Sequence, residues 1–323
     1  MKKFVAASIA LASAGALLMI GSSPALAAGP AIDPGDSLYA VGCDDGVYND
    51  WQLLAVDSTS AVSTLIGDGS GATTSDLCAR QPAWDPSTGT SYYIQWYYSE
   101  GDDPTYLATV DPATGDSVVI DEFFEMAGEL KVTPFIQVLA IDGAGAAYAI
   151  DDIGYLYSVD LATAELTSIA PTGYEEVYSF AWDATTDEFY FIQHSGDIYA
   201  LDVTTGFADF IDTYEGDVST VGSLQFDQAG RWWVQVYAYD EALEESTAQL
   251  ASFTVVGDTA SAAVVAGTFT DDPYYTEALL IIPGEPALAA TGADLGTVSL
   301  IAVGAGAIAL AGAALLLRRR RTA

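Results

Sequence analysis

The chain has 323 residues, with 45 acidic side chains against 9 basic ones and a formal charge of -36. Such an acid excess excludes a nucleic-acid-binding surface, because no cationic face exists to displace counterions from phosphate. Hydrophobic residues make up 51%, which excludes global disorder. One histidine and two cysteines are too few for a zinc finger or an iron–sulfur cluster.

In chain order, residues 1–27 read as a secretory signal peptide. Lys2 and Lys3 form a positive start, Phe4 to Ile20 is apolar, and Ala25-Leu26-Ala27 offers small residues before a cut at Ala28. Export places Cys43 and Cys78 in an oxidising compartment, where a disulfide between them is expected. Closing that loop would stabilise the fold by up to ~4 kcal/mol on the chain-entropy argument.

The body, 28–282, repeats itself. One phrase is an apolar strand followed by Asp and a turn: Leu53-Leu54-Ala55-Val56-Asp57, Leu107-Ala108-Thr109-Val110-Asp111, Leu156-Tyr157-Ser158-Val159-Asp160 and Ile198-Tyr199-Ala200-Leu201-Asp202. A second phrase precedes it: Ala83-Trp84-Asp85, Ala140-Ile141-Asp142, Ala181-Trp182-Asp183 and Gln225-Phe226-Asp227. An aromatic or apolar strand follows each. Alternation between Gly, Asp and Thr turns predicts strands, four to a unit, here termed a to d. Asp opens these turns because its carboxylate accepts nearby backbone N–H groups, so a structural role is expected for it.

A four-stranded unit recurring every ~40–50 residues predicts a propeller blade. The expected fold is therefore all-β, a five-bladed β-propeller with blades at 38–66 plus 277–282, 80–121, 136–170, 177–213 and 221–268. Leu38–Val41 should pair with Ala278–Ile282, closing the ring with strands from both termini. The turn pattern resembles that of bacterial quinoprotein-like and other surface β-propellers, and the WD40 signature is absent from the c strands.

Blade topology puts the b–c and d–a connections on one face, which gathers many carboxylates. The pairs Asp44-Asp45, Asp102-Asp103 and Asp151-Asp152 could supply oxygens to Ca²⁺, although no spaced calcium motif is present. The same carboxylates could simply solvate the surface. Aromatics near the loop ends, Trp96, Tyr97 and Tyr98 in blade two and Tyr237 and Tyr239 in blade five, are candidate platforms for sugars. Gln95, Gln193 and Gln235 recur at matching b-strand positions and are expected to bond backbone or a neighbouring blade. No catalytic residue is assigned: His194 is the one imidazole and begins a tight turn.

The C-terminus carries an address. A short stalk, 283–294, contains Leu288-Ala289-Ala290-Thr291-Gly292. An uncharged stretch, 295–317, follows and is long enough for a transmembrane helix. Arg318 to Arg321 open the basic tail, 318–323, which would halt export and remain cytoplasmic. The order of pentapeptide, apolar helix and arginine tail resembles the cell-wall sorting signal of Gram-positive surface proteins, in the Leu-Ala-x-Thr-Gly form used by class E sortases of actinobacteria. That resemblance implies membrane insertion first, then cleavage between Thr291 and Gly292 by a sortase and attachment to peptidoglycan. A plain single-pass anchor would share the helix and the arginines but not the pentapeptide.

On this reading the mature chain keeps Arg80, Lys131 and Arg231 as its 3 basic residues against 44 acids, a formal charge of -41. The function expected is a wall-anchored binding or display module for an extracellular ligand, glycans or cations. The alternative is a secreted carbohydrate-active hydrolase or lyase, which five-bladed propellers sometimes are.

Overall fold

In the computed structural model, residues 31–44, 51–67, 77–97, 104–214, 220–240, 245–257, 259–269 and 274–284 are described. The secretory segment, the sorting motif, the apolar C-terminal stretch and the arginine tail lie outside them. Among the described residues every regular element is a strand, and no helix is long and apolar enough to cross a membrane.

The strands follow in chain order. β1 (Ser37–Asp44), β2 (Trp51–Val56) and β3 (Ser63–Gly67) come first. β4 (Leu77–Asp85), β5 (Thr90–Tyr97), β6 (Thr105–Val110) and β7 (Ser117–Glu122) form the second blade. A hairpin, β8 (Phe124–Ala127) and β9 (Leu130–Val132), precedes the third, which is β10 (Ile136–Ile141), β11 (Ala147–Asp151), β12 (Tyr155–Val159) and β13 (Glu165–Pro171). The fourth blade is β14 (Val177–Asp183), β15 (Glu188–Gln193), β16 (Asp197–Leu201) and β17 (Ala208–Thr213). The fifth is β18 (Thr220–Phe226), β19 (Trp232–Asp240), β20 (Glu245–Phe253) and, after the small hairpin β21 (Val255–Val256) and β22 (Thr259–Ala260), β23 (Val264–Thr268). β24 (Tyr274–Ile282) then returns to the first sheet, whose order is β24-β1-β2-β3.

The ring closes as the sequence predicts. Leu38 pairs with Ile281, and Val41 with Ala278, in an antiparallel ladder. The first blade is therefore built from both ends of the domain, with β24 as its innermost strand.

Alternation along each strand explains the core. Side chains of successive residues point to opposite faces, and each face meets a different neighbouring blade. On β11, Ala147 and Ala149 join the apolar layer shared with the second blade, while Ile150 joins the layer shared with the fourth. The core is thus divided into five layers, one between each pair of blades. At the outer rim, blades touch backbone to backbone. A Cβ built on Gly67 of β3 would lie 2.3 Å from the Thr114 carbonyl in the next blade, so only glycine fits there.

The repeated aspartates hold turns. In the c–d turns, Asp57, Asp111, Asp160 and Asp202 each accept the backbone N–H two residues on, at 2.8 Å. In the a–b turns, Asp85, Asp142 and Asp183 do the same at 2.8 Å and Asp227 at 3.1 Å. Two features differ from the sequence reading. The d–a connection between the second and third blades contains the β8–β9 hairpin, which carries Glu125 and Glu129 and whose β8 pairs in parallel with β13. The Gln95 carboxamide, for which the sequence predicts a partner, is fully buried and bonds to no described residue. Gln193 does bond, donating to the Glu175 carbonyl at 2.9 Å. Gln235 donates to the Tyr237 hydroxyl at 3.2 Å.

Candidate functional site

The innermost strands of the five blades run side by side around an axis. Each carries one extra residue relative to its partner strand. The ladder skips at Val41/Gly42 opposite β24, where Glu277 is unpaired, and between Arg80 and Ala83, Ile136 and Val138, Val177 and Ser179, and Val221 and Ser223. A bulge of this kind turns an additional side chain out of the ladder. The residues at these positions include Gln81, Gln137, Tyr178 and Gly222, of which Gln81 and Gly222 are buried, and all four line one mouth of the axis together with Arg80, Val177 and Tyr237. The cavity they enclose is about 250 Å³.

The mouth has a floor. The Gln81 Nε2 donates to the Tyr178 carbonyl at 2.6 Å and to the Gly222 carbonyl at 3.3 Å. Its Oε1 accepts the Ser179 hydroxyl at 3.0 Å. One carboxamide therefore bridges the second, fourth and fifth blades across the axis. Gln81 holds a φ of +39°, a left-handed conformation that strains a non-glycine residue. Ser179 in turn accepts the Leu224 N–H at 2.7 Å, and Ser223 accepts the Leu279 N–H at 2.9 Å, so neighbouring inner strands are stitched at the same level.

The walls offer varied chemistry. Gln137 is half-buried, and its carboxamide bonds to no described residue. The Tyr178 ring is exposed and lies 4.8 Å from the His194 ring. The Arg80 guanidinium sits 4.2 Å above the centre of the Trp96 ring, an arrangement that fixes the cation at the rim. Trp96 also meets Phe135 edge to face at 6.4 Å.

The sequence candidates distribute as follows. Trp96, through Arg80, and Tyr237 reach this mouth. Tyr97 and Tyr239 lie in β5 and β19, with side chains outside the described residues, as Tyr98 is entirely. Asp45, Asp102 and Asp103 are outside as well, and of Asp44, Cys43 and Cys78 only the strand backbone is described. Asp151 is buried and its carboxylate is committed to its own turn. It accepts the Ile153 and Tyr155 N–H groups at 3.2 and 2.7 Å and the Tyr157 hydroxyl at 2.9 Å. Burial pushes the Asp151 carboxyl above the usual range, against the pull of those bonds. Burial and the facing Asp151 charge push the Tyr157 phenol up in turn. Asp152 is exposed. Among the described residues no group of three or more His, Cys, Asp or Glu could hold a metal ion.

Gln81, Gln137, Tyr178 and Gly222 escaped the sequence reading. Their one trace is a single residue inserted into each apolar inner strand, as Gln137 is between Ile136 and Val138.

No protein-family model matches the chain, and no curated protein matches it. Solved structures do. A nidogen/laminin complex is similar at 9% identity, covering 76% of this chain and 98% of that one, with a TM-score of 0.47. A candidate 6-phosphogluconolactonase from Bacteroides uniformis is similar at 10% identity over 72% and 82% of the two chains, with a TM-score of 0.43. A protein of unknown function from Bacteroides thetaiotaomicron is similar at 12% identity over 73% and 69%, with a TM-score of 0.41.

Proposed function

We propose that this β-propeller is a cell-surface binding module that takes a glycan at the polar axial mouth and is held to the cell wall by its C-terminal segment. The observation that carries the reading is the bulge repeated in every innermost strand. A rigid scaffold that turns extra side chains toward one point is the usual architecture of a binding site. The Gln137 carboxamide and the Tyr178 phenol can both donate and accept, which suits the hydroxyl groups of a sugar. The rim guanidinium, held over the Trp96 ring, borders the mouth and gives a ligand a planar donor group to pack against.

The anchoring part rests on residues 288–321: pentapeptide, apolar stretch and arginine block in order. The geometry of the exit agrees with it. β24 ends at the face opposite the polar mouth, so a tether leaving from Gly284 would turn that mouth away from its attachment point.

A glycan array probed with the exported protein tests the binding. Selective binding that is lost in Gln137→Leu and weakened in Arg80→Gln, but kept in Lys131→Gln, is the expected result. Release of free sugar from a bound glycan would favour the hydrolase alternative. Binding to no glycan at all would end the proposal.

A further inference from the structure

Below the Gln81 floor the axis opens again, on the face of the a–b turns. This second mouth encloses about 350 Å³ and differs in character from the first. Its walls are Trp84, Leu139, Phe180, Trp182, Phe226 and Ile281, contributed by all five blades.

The polar groups around it are almost all committed elsewhere. The Trp182 Nε1 donates to Asp187 at 3.2 Å. Asp227 accepts the Ala229 and Arg231 N–H groups and the Trp233 indole N–H. Gln228 donates through its backbone N–H and its Nε2 to Asp36, and through Nε2 to the Gly284 carbonyl. The Gln225 Nε2 donates to the Pro82 carbonyl at 3.2 Å. Three side-chain polar atoms remain without a described partner, the Trp84 Nε1 and the Oε1 atoms of Gln225 and Gln228.

The walls are also set in place. A Cβ on Gly143 would lie 2.7 Å from the Trp182 ring, so that indole rests directly on the turn of the neighbouring blade. Trp84 lies beside Gly89 of its own turn, where a Cβ would make ordinary contact with the ring at 3.7 Å.

We infer that this lower mouth is a second binding site, for a neutral ring compound with one or two polar atoms. Rigid aromatic walls and a small number of free polar atoms are the composition of small-molecule pockets, and the volume lies at their lower end, room for roughly two or three fused rings. A charged ligand would meet no counter-charge here, because the one carboxylate at the wall is already saturated. The inference is independent of the glycan reading, which concerns the opposite face.

The test uses the full chain and the neutral photoprobe 1-azidonaphthalene, with labelled peptides identified by mass spectrometry. Saturable labelling at the peptides of Trp84 and Trp182, competed by 1-naphthol, is expected. Ala184→Trp fills the mouth from its exposed rim, and Gly143→Ala displaces the Trp182 ring. Each should reduce labelling tenfold or more with an unchanged melting temperature for Ala184→Trp. Labelling that does not saturate, or that is equal in Ala184→Trp, overturns the site. So does labelling seen only in Leu288→Asp, because the occupant would then be the chain's own stalk. Glycan binding should be the same in all three variants.

Discussion

Asp36 and Gln228 grip each other at two points: the Gln228 backbone N–H meets one carboxylate oxygen at 2.9 Å, and its Nε2 meets the other at 2.8 Å. The Gly284 N–H adds a third bond to the same carboxylate at 3.0 Å. Asp36 precedes β1, Gly284 follows β24 and Gln228 lies in the a–b turn of the fifth blade. One side chain thus fastens both chain ends to the blade beside them.

Asp36→Ala removes all three bonds and should destabilise the domain by about 2–3 kcal/mol, given that the carboxylate is half-exposed. Urea unfolding should show a lower midpoint with an unchanged slope, since the fold is the same. A midpoint equal to the parent's would mean that the ring closes on the β1–β24 ladder alone.

Gln81 is the next position where sequence and backbone conflict. Gln81→Ala keeps the left-handed backbone but strands the Tyr178 and Gly222 carbonyls and the Ser179 hydroxyl, at about 2–3 kcal/mol. Gln81→Gly loses the same bonds yet relieves the strain, and should recover about 1 kcal/mol of that. Denaturant midpoints should therefore rank parent, glycine, alanine. Alanine above glycine would show that φ at this site carries no strain.

Asp202 supplies the pH dependence. Hydrogen bonds from the Thr204 hydroxyl, then from Thr205 and the Thr204 backbone, pull its carboxyl down to about 2 from an ordinary 3.8. A depressed folded-state value stabilises at pH above the unfolded value, and that contribution is lost as pH falls toward the folded value. The melting-temperature gap between parent and Asp202→Asn should be constant above about pH 5 and shrink steadily toward about pH 2. A gap that widens on acidification would contradict the assignment.

Thr291→Ala addresses the anchor. The variant should remain in the membrane fraction, while the parent should be found covalently on peptidoglycan. Covalent attachment of Thr291→Ala would remove the sorting reading without touching the propeller.

The ring was legible because closure needs only alternation, and Leu38–Val41 and Ala278–Ile282 both carry it. The turns were legible because Asp has one physical reason to stand before them, and eight aspartates act on it. The β8–β9 hairpin was not, since strands of four and three residues are too short to establish a period. The axial side chains were not either. A bulge adds one residue without changing composition, so Gln137 and Tyr178 read as ordinary strand positions until the register is known. The Arg80 guanidinium over the Trp96 ring was not legible either, because a pairing that joins β4 and β5 has no signature along the chain.

The exit of β24 has a mechanical corollary. The innermost strands all run from the polar mouth toward the opposite face, and the would-be leash continues the last of them. Drag on a captured ligand would therefore load β24 along its own length. Its bonds to β1 would have to break together in shear, because nothing in that geometry lets them peel one at a time. An attached cell in flowing medium would pull on the wheel in its stiffest direction.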